Sequence, residues 1–111
     1  MSISKFKAET LRTLAHGSIG AAYSAVGSAM TNPISKLHIT NDTDVGIYFS
    51  DDGTNNKIYL ANGCDLLLDI TIENNNPDYL AKGTVFYAKQ GPEGAPSSGL
   101  VTIAAFYGEN K

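Results

Sequence analysis

Apolar and polar positions alternate with a period of two through most of residues 36–72. Leu37 and Ile39 alternate with Lys36, His38 and Thr40. Val45, Ile47 and Phe49 alternate with Gly46, Tyr48 and Ser50. Ile58 and Leu60 alternate with Lys57, Tyr59 and Ala61. Leu66, Leu68, Ile70 and Ile72 alternate with Asp65, Leu67, Asp69 and Thr71. A strand turns successive side chains to opposite faces, so each segment predicts a half-buried strand. The linkers 41–44 (NDTD), 51–56 (DDGTNN) and 62–63 (NG) are rich in residues that tolerate positive φ or hydrogen-bond their own backbone. Each reads as a hairpin turn, and together they predict an antiparallel meander.

The flanking segments continue the β pattern. Residues 10–16 (TLRTLAH) carry helical spacing at Ala8, Leu11, Leu14 and Ala15, but two threonines and the following Gly-Ser-Ile-Gly suit a strand, which is the reading adopted. Residues 22–26 predict a short strand with Tyr23 as its largest group to bury. Asn32-Pro33 closes that region. A polar loop, 73–78, precedes a strand over 84–89. A Gly, Pro and Ser loop, 90–99, precedes the last strand, 100–107. About eight strands at regular spacing predict an all-β fold, an antiparallel β-sandwich of jelly-roll type. Residues 10–111 form this single domain, and residues 1–9 are an N-terminal arm. That arm is either frayed or lays Ile3 and Phe6 on a neighbouring subunit.

The last two segments are apolar on both faces. Val85 and Tyr87 oppose Phe86 and Ala88. Val101, Ile103, Ala105 and Tyr107 oppose Leu100, Ala104 and Phe106. One sheet of a two-layer sandwich has one core face, so the other face needs a covering loop or another subunit. A homo-oligomer, as a ring, with Phe86 and Phe106 in the contact is the expectation. The loop 90–99, through Gly91, Pro92, Pro96 and Ser97, is expected to touch a partner subunit, or else to be a free hairpin tip.

Composition narrows the function. The chain has 111 residues, a formal net charge of −3 and eight Lys and Arg spread along it. No basic run exists, so direct nucleic-acid binding is not expected. No apolar run approaches membrane-spanning length, and the first residues lack the apolar centre of a signal peptide, so no membrane partner is expected. A single cysteine, Cys64, fits assembly in a reducing cytoplasm. His16, His38 and Cys64 are far apart in sequence, and 51–56 does not match a calcium loop, so no metal and no cofactor are expected. No nucleophile motif is present, and catalytic residues are expected to be none. Tyr48 and Tyr59, on the outward face of adjacent strands, are a candidate ligand face for a glycan. Cross-strand pairing explains them equally well.

One set of motifs spans residues 11–108. Gly-Ser-Ile-Gly is followed by Tyr23-x-x-Val-Gly27, Thr31-Asn32-Pro33 and Ile39-Thr40-Asn41-Asp42-Thr43-Asp44. Ser50-Asp51-Asp52-Gly53-Thr54-Asn55 and Leu60-Ala61-Asn62-Gly63 come next. Gly83-Thr84-x-Phe-Tyr-x-Lys-Gln and Pro96-Ser97-Ser98-Gly99 lead into the closing strand. The pattern resembles a family of small tailed-bacteriophage virion proteins encoded among head and neck genes. The resemblance implies a non-enzymatic structural part of the virion, assembled in the host cytoplasm. It implies several copies near the head–tail junction, as a neck, collar or tail adaptor. Portal, adaptor or tail proteins would be its partners. A capsid decoration protein, or a glycan-binding sandwich module, is the alternative.

Overall fold

The computed structural model describes residues 4–69 and 80–110. Among them run nine strands: β1 (Ser4–Ala8), β2 (Arg12–Ala15), β3 (Ser24–Ala25), β4 (Lys36–Thr43), β5 (Ile47–Ser50), β6 (Ile58–Leu60), β7 (Asp65–Asp69), β8 (Tyr87–Gln90) and β9 (Gly99–Asn110). All are paired antiparallel, in two sheets. The first has the order β1-β9-β4-β7, with β2 also against β9; the second has the order β3-β8-β5-β6. Within β9, residues 106–110 pair with β1 and residues 100–103 with β2. The two short strands therefore share one lane, and nine strands fill eight positions.

The pairs β2·β9, β3·β8, β4·β7 and β5·β6 nest inside one another and fall alternately in the two sheets. Such nesting is one long hairpin folded over into two layers, the jelly-roll form of a β-sandwich. Two segments of the sequence reading lie outside the described residues: the loop 73–78, and Ile70 and Ile72 of the fourth segment.

Residues 36–72 are not a meander. β4 and β5 lie in different sheets, as do β6 and β7, and only β5 and β6 form a hairpin. The stretch 41–44 is likewise no simple turn, because β4 runs through Asn41 to Thr43. Its inward positions are Leu37, Ile39, Asn41 and Thr43 in unbroken alternation. Asn41, fully buried, donates from Nδ2 to the carbonyls of Val45 and Leu60, both at 2.9 Å. It accepts from the Thr43 amide and hydroxyl. With every polar group satisfied, Asn41 sits inside the sandwich where its type suggested a turn. The chain changes sheet immediately after it.

The core lies between the layers. Leu37, Ile39, Val101, Ile103 and Ala105 of the first sheet meet Ile47, Phe49, Leu60 and Ala88 of the second. Burying each large side chain contributes roughly 1.5–3 kcal/mol. The 19–34 stretch closes one flank with Ile19, Val26, Met30 and Ile34. Val26, fully buried, takes the inward place expected for Tyr23, which stays half-exposed. The Val26 amide donates to Phe86 O (2.7 Å) and the Met30 amide to Thr84 O (2.9 Å). Residues 84–86 are therefore held by the 26–30 segment, and the regular ladder of β8 begins at Tyr87.

Candidate functional site

Two outer faces of the sandwich carry the candidate residues. On the second sheet, β5 and β8 place alternate side chains outward, opposite buried Ile47, Phe49 and Ala88. Tyr48 stands directly across from Tyr59 on β6 and from Lys89 on β8. The Tyr48 and Tyr59 rings lie 5.4 Å apart between centroids, tilted by 59°. This is the cross-strand pair the alternation predicts, and its tilted geometry is favourable for aromatic quadrupoles. Lys89 Nζ lies 5.0 Å from the Tyr23 ring centroid and 5.9 Å from that of Tyr48, within cation–π range of both.

Each ring is fixed by its surroundings. Tyr23 donates its hydroxyl to Asn56 Oδ1 at 2.7 Å. Tyr59, 44% exposed, reaches Glu93 Oε1 at 3.4 Å, and the same oxygen accepts the Gly46 amide at 2.9 Å. The ring can come this close because position 46 has no side chain: a Cβ there would lie 2.0 Å from the Tyr59 hydroxyl. Burial and the neighbouring Glu93 charge push the Tyr59 hydroxyl pKa up. Burial, with the Asp52 charge, does the same at Tyr23. Both hydroxyls remain neutral donors at ordinary pH.

The β5–β6 hairpin closes one end of this face. Asp52 Oδ1 accepts from the Ser50 hydroxyl (2.6 Å) and from the amides of Thr54 (2.8 Å) and Asn55 (2.9 Å); Oδ2 accepts from the Asn55 side chain. These bonds, the Ser50 hydroxyl foremost, hold the Asp52 carboxyl well below the usual range. The 51–56 segment is thus a self-satisfied turn, as its composition predicts. At the other end, loop 90–99 folds back on its own chain. The Gly91 amide donates to Gly46 O (3.0 Å), and Ser97 donates through amide and hydroxyl to the Asp44 carboxylate. Gly91 and Pro96 are buried, while Pro92 and Ser97 are exposed. The Ser97 hydroxyl expected to face a partner is bonded to Asp44 within the chain.

The outer face of the first sheet is different in kind. Across β9, β4 and β7, the outward rows are Phe106–Lys36–Asp69, Ala104–His38–Leu67, Thr102–Thr40–Asp65 and Leu100–Asp42. Leu67 is 63% exposed, and Leu11, between β1 and β2, is 55% exposed. His38 Nε2 lies 2.7 Å from Asp65 Oδ2.

Phe86 and Phe106, both expected in the contact with another subunit, do not share an outer face. Phe86 is 5% exposed and belongs to the core beside the second sheet, whereas Phe106 is half-exposed on the outer side of the first. The alternation across 84–89 does not tell which face is inward, and Phe86, not Tyr87, faces in. Of the arm, Ile3 lies outside the described residues, and Phe6 sits opposite Gly108 in the β1·β9 ladder. Cys64 is exposed, one residue before β7. Among the described residues, no group of three His, Cys, Asp or Glu side chains is placed to hold a metal ion. Sequence reasoning missed Tyr23, Lys89 and Glu93 as neighbours of the tyrosine pair, because the turns that bring them there are set by long-range pairing.

Fold and surfaces define a jelly-roll domain with one tyrosine-lined outer face and one of mixed apolar character. Comparison with family models, curated proteins and solved structures gives no match for this chain.

Proposed function

We propose that this chain is a non-enzymatic structural subunit of a tailed-bacteriophage virion. In this reading it is present in several copies at the head–tail junction and contacts its own copies and a portal, adaptor or tail protein. The observation that carries it is β9. One face of that strand, with Val101, Ile103 and Ala105, fills the core. The other carries Leu100, Ala104 and Phe106 outward, in register with the exposed Leu67 through β4. A face of this composition suits contact with a second copy. In a ring that contact is heterologous, and its rotation must close.

The turn motifs add support. Ser50-Asp51-Asp52-Gly53-Thr54-Asn55 forms the β5–β6 turn, and Pro96-Ser97-Ser98-Gly99 locks onto Asp44 before β9. These motifs build the scaffold, as the resemblance to virion proteins requires. The jelly roll is used both in viral capsid proteins and in lectins, an analogy of fold alone. Mass spectrometry of virions purified from the phage encoding the chain tests the proposal. The expected result is the chain in several copies per particle, and its absence from virions overturns the reading.

A further inference from the structure

The second sheet's outer face does not take part in that contact, and its chemistry is of another kind. Tyr48 and Tyr59 present paired rings on adjacent strands, and Tyr23 adds a third ring across Lys89. Tyrosine offers a rigid, amphipathic contact surface that costs little conformational entropy on binding. Here that cost falls further, because the Tyr59 ring is wedged over Gly46 and Gly91 and its hydroxyl is tied to Glu93. A Cβ at Gly91 would lie 3.1 Å from the Tyr59 ring.

Lys89 completes the pattern. The residue is half-buried, its ammonium lies within cation–π range of two rings, and no ion pair joins it to a carboxylate among the described residues. The acids at either end of the face are committed elsewhere. Asp52 caps its own turn, and Glu93 holds the Gly46 amide. The face therefore has apolar rings, neutral hydroxyls at their rims, and one cation with no ion-pair partner among the described residues. Aromatic rings match the C–H faces of a pyranose, and the lone cation matches a carboxylate.

We propose that the outer face of the β3-β8-β5-β6 sheet binds a carboxylate-bearing saccharide. The Tyr48 and Tyr59 rings lie beneath the sugar, and Lys89 Nζ meets its carboxylate. The site is independent of the virion assignment, since it uses the opposite sheet.

The test uses the isolated full chain, so its outcome does not depend on where the chain resides. Amide NMR follows titration with sialyllactose and with a hyaluronan tetrasaccharide, and with lactose as the neutral counterpart. The expected result is shifts confined to β5, β6 and β8 with at least one acidic sugar, and weaker binding of lactose. Tyr59→Ala and Lys89→Gln should each weaken acidic-sugar binding by roughly tenfold, with unfolding midpoints showing that both variants remain folded. Lys89→Gln should weaken acidic-sugar binding by a larger factor than lactose binding, which separates a charge contact from a packing role. No shifts with either acidic sugar, shifts centred on another surface, equal affinity for lactose, or an unaltered acidic-sugar affinity in Lys89→Gln overturns the proposal.

Discussion

Glu9 and Arg12 form an ion pair of 2.7 Å with both side chains almost wholly buried, at 3% and 6% exposure. Arg12 also donates to Ser28 O (2.7 Å), Ala29 O (2.9 Å) and Thr10 O (3.2 Å). Glu9 in turn accepts from the Thr31 amide and hydroxyl and from Asn32 Nδ2. The knot ties the β1–β2 junction to the 28–32 loop. Burial alone would raise the Glu9 pKa, but the bonds from Asn32, Arg12 and Thr31 outweigh it and hold the carboxyl at about 2.

A pH dependence follows. A carboxyl whose pKa is lower folded than unfolded stabilises the fold above its unfolded value, and that stability is lost as the pH falls through the folded value. For Glu9 the window runs from about 4.5 down to about 2. The linkage contribution is about 3 kcal/mol. Asp44 and Asp52 are also depressed by hydrogen bonds and add slope of the same sign. Urea unfolding across this window should show wild type losing more stability than Glu9→Gln. Parallel curves would remove Glu9 from the acid response.

Removing the cation should cost more than removing the anion. Arg12→Ala leaves Glu9 charged in a buried site and strips the Ser28 and Ala29 carbonyls of a donor. Breaking one side of such a pair costs roughly 3–5 kcal/mol. The double change Glu9→Gln with Arg12→Met should cost less than the sum of its single changes, as expected for groups in one network. Additive losses in a double-mutant cycle would mean that the two side chains act separately.

Gly99 and Gly63 both have positive φ, 85° and 77°, but meet different surroundings. A Cβ at Gly63 meets nothing within 4 Å, whereas one at Gly99 would lie 2.0 Å from the Asp42 carbonyl oxygen. Gly63→Ala should therefore cost only the left-handed backbone, roughly 1–2 kcal/mol. Gly99→Ala must also push β9 away from β4 and should lose several kcal/mol or fail to fold. Equal unfolding midpoints for the two variants would contradict this difference.

The face assignment of β4 was legible in Leu37 and Ile39, and the tyrosine pair in Tyr48 and Tyr59. The alternation also runs through Asn41 and Thr43, but there residue type argued for a turn and hid the strand. What makes an inward Asn tolerable is the Val45 and Leu60 carbonyls, which a period of two does not reveal. The sheet change after β4 was hidden for the same reason. The pairing of β4 with β7 and β9 rather than β5 depends on contacts up to about seventy residues apart in the register. Phe86 was misplaced because both faces of 84–89 are apolar, and only the 26–30 segment shows which one is covered.

The oligomer prediction now rests on Phe106 and Leu67, with Phe86 as the internal control. Phe106→Asp places a charge on the outer face of β9, beside Lys36 on the neighbouring strand. Leu67 is so exposed that Leu67→Asp removes little burial within one chain. Both variants should keep the β circular-dichroism spectrum and a cooperative unfolding transition, yet lose self-association by sedimentation. Burial of one such side chain at a contact is worth roughly 1.5–3 kcal/mol, enough to dissolve a weak interface repeated around a ring. Phe86→Asp buries a charge in the core instead and should abolish folding. If the wild-type free chain is monomeric and only a portal or tail scaffold templates the ring, sedimentation will not separate the variants. Copy number in virions then decides, and Leu67→Asp and Phe106→Asp chains should be incorporated poorly. Normal incorporation of both folded variants would exclude the outer face of the first sheet as the contact. The β1 and β2 edge would then be the next surface to test.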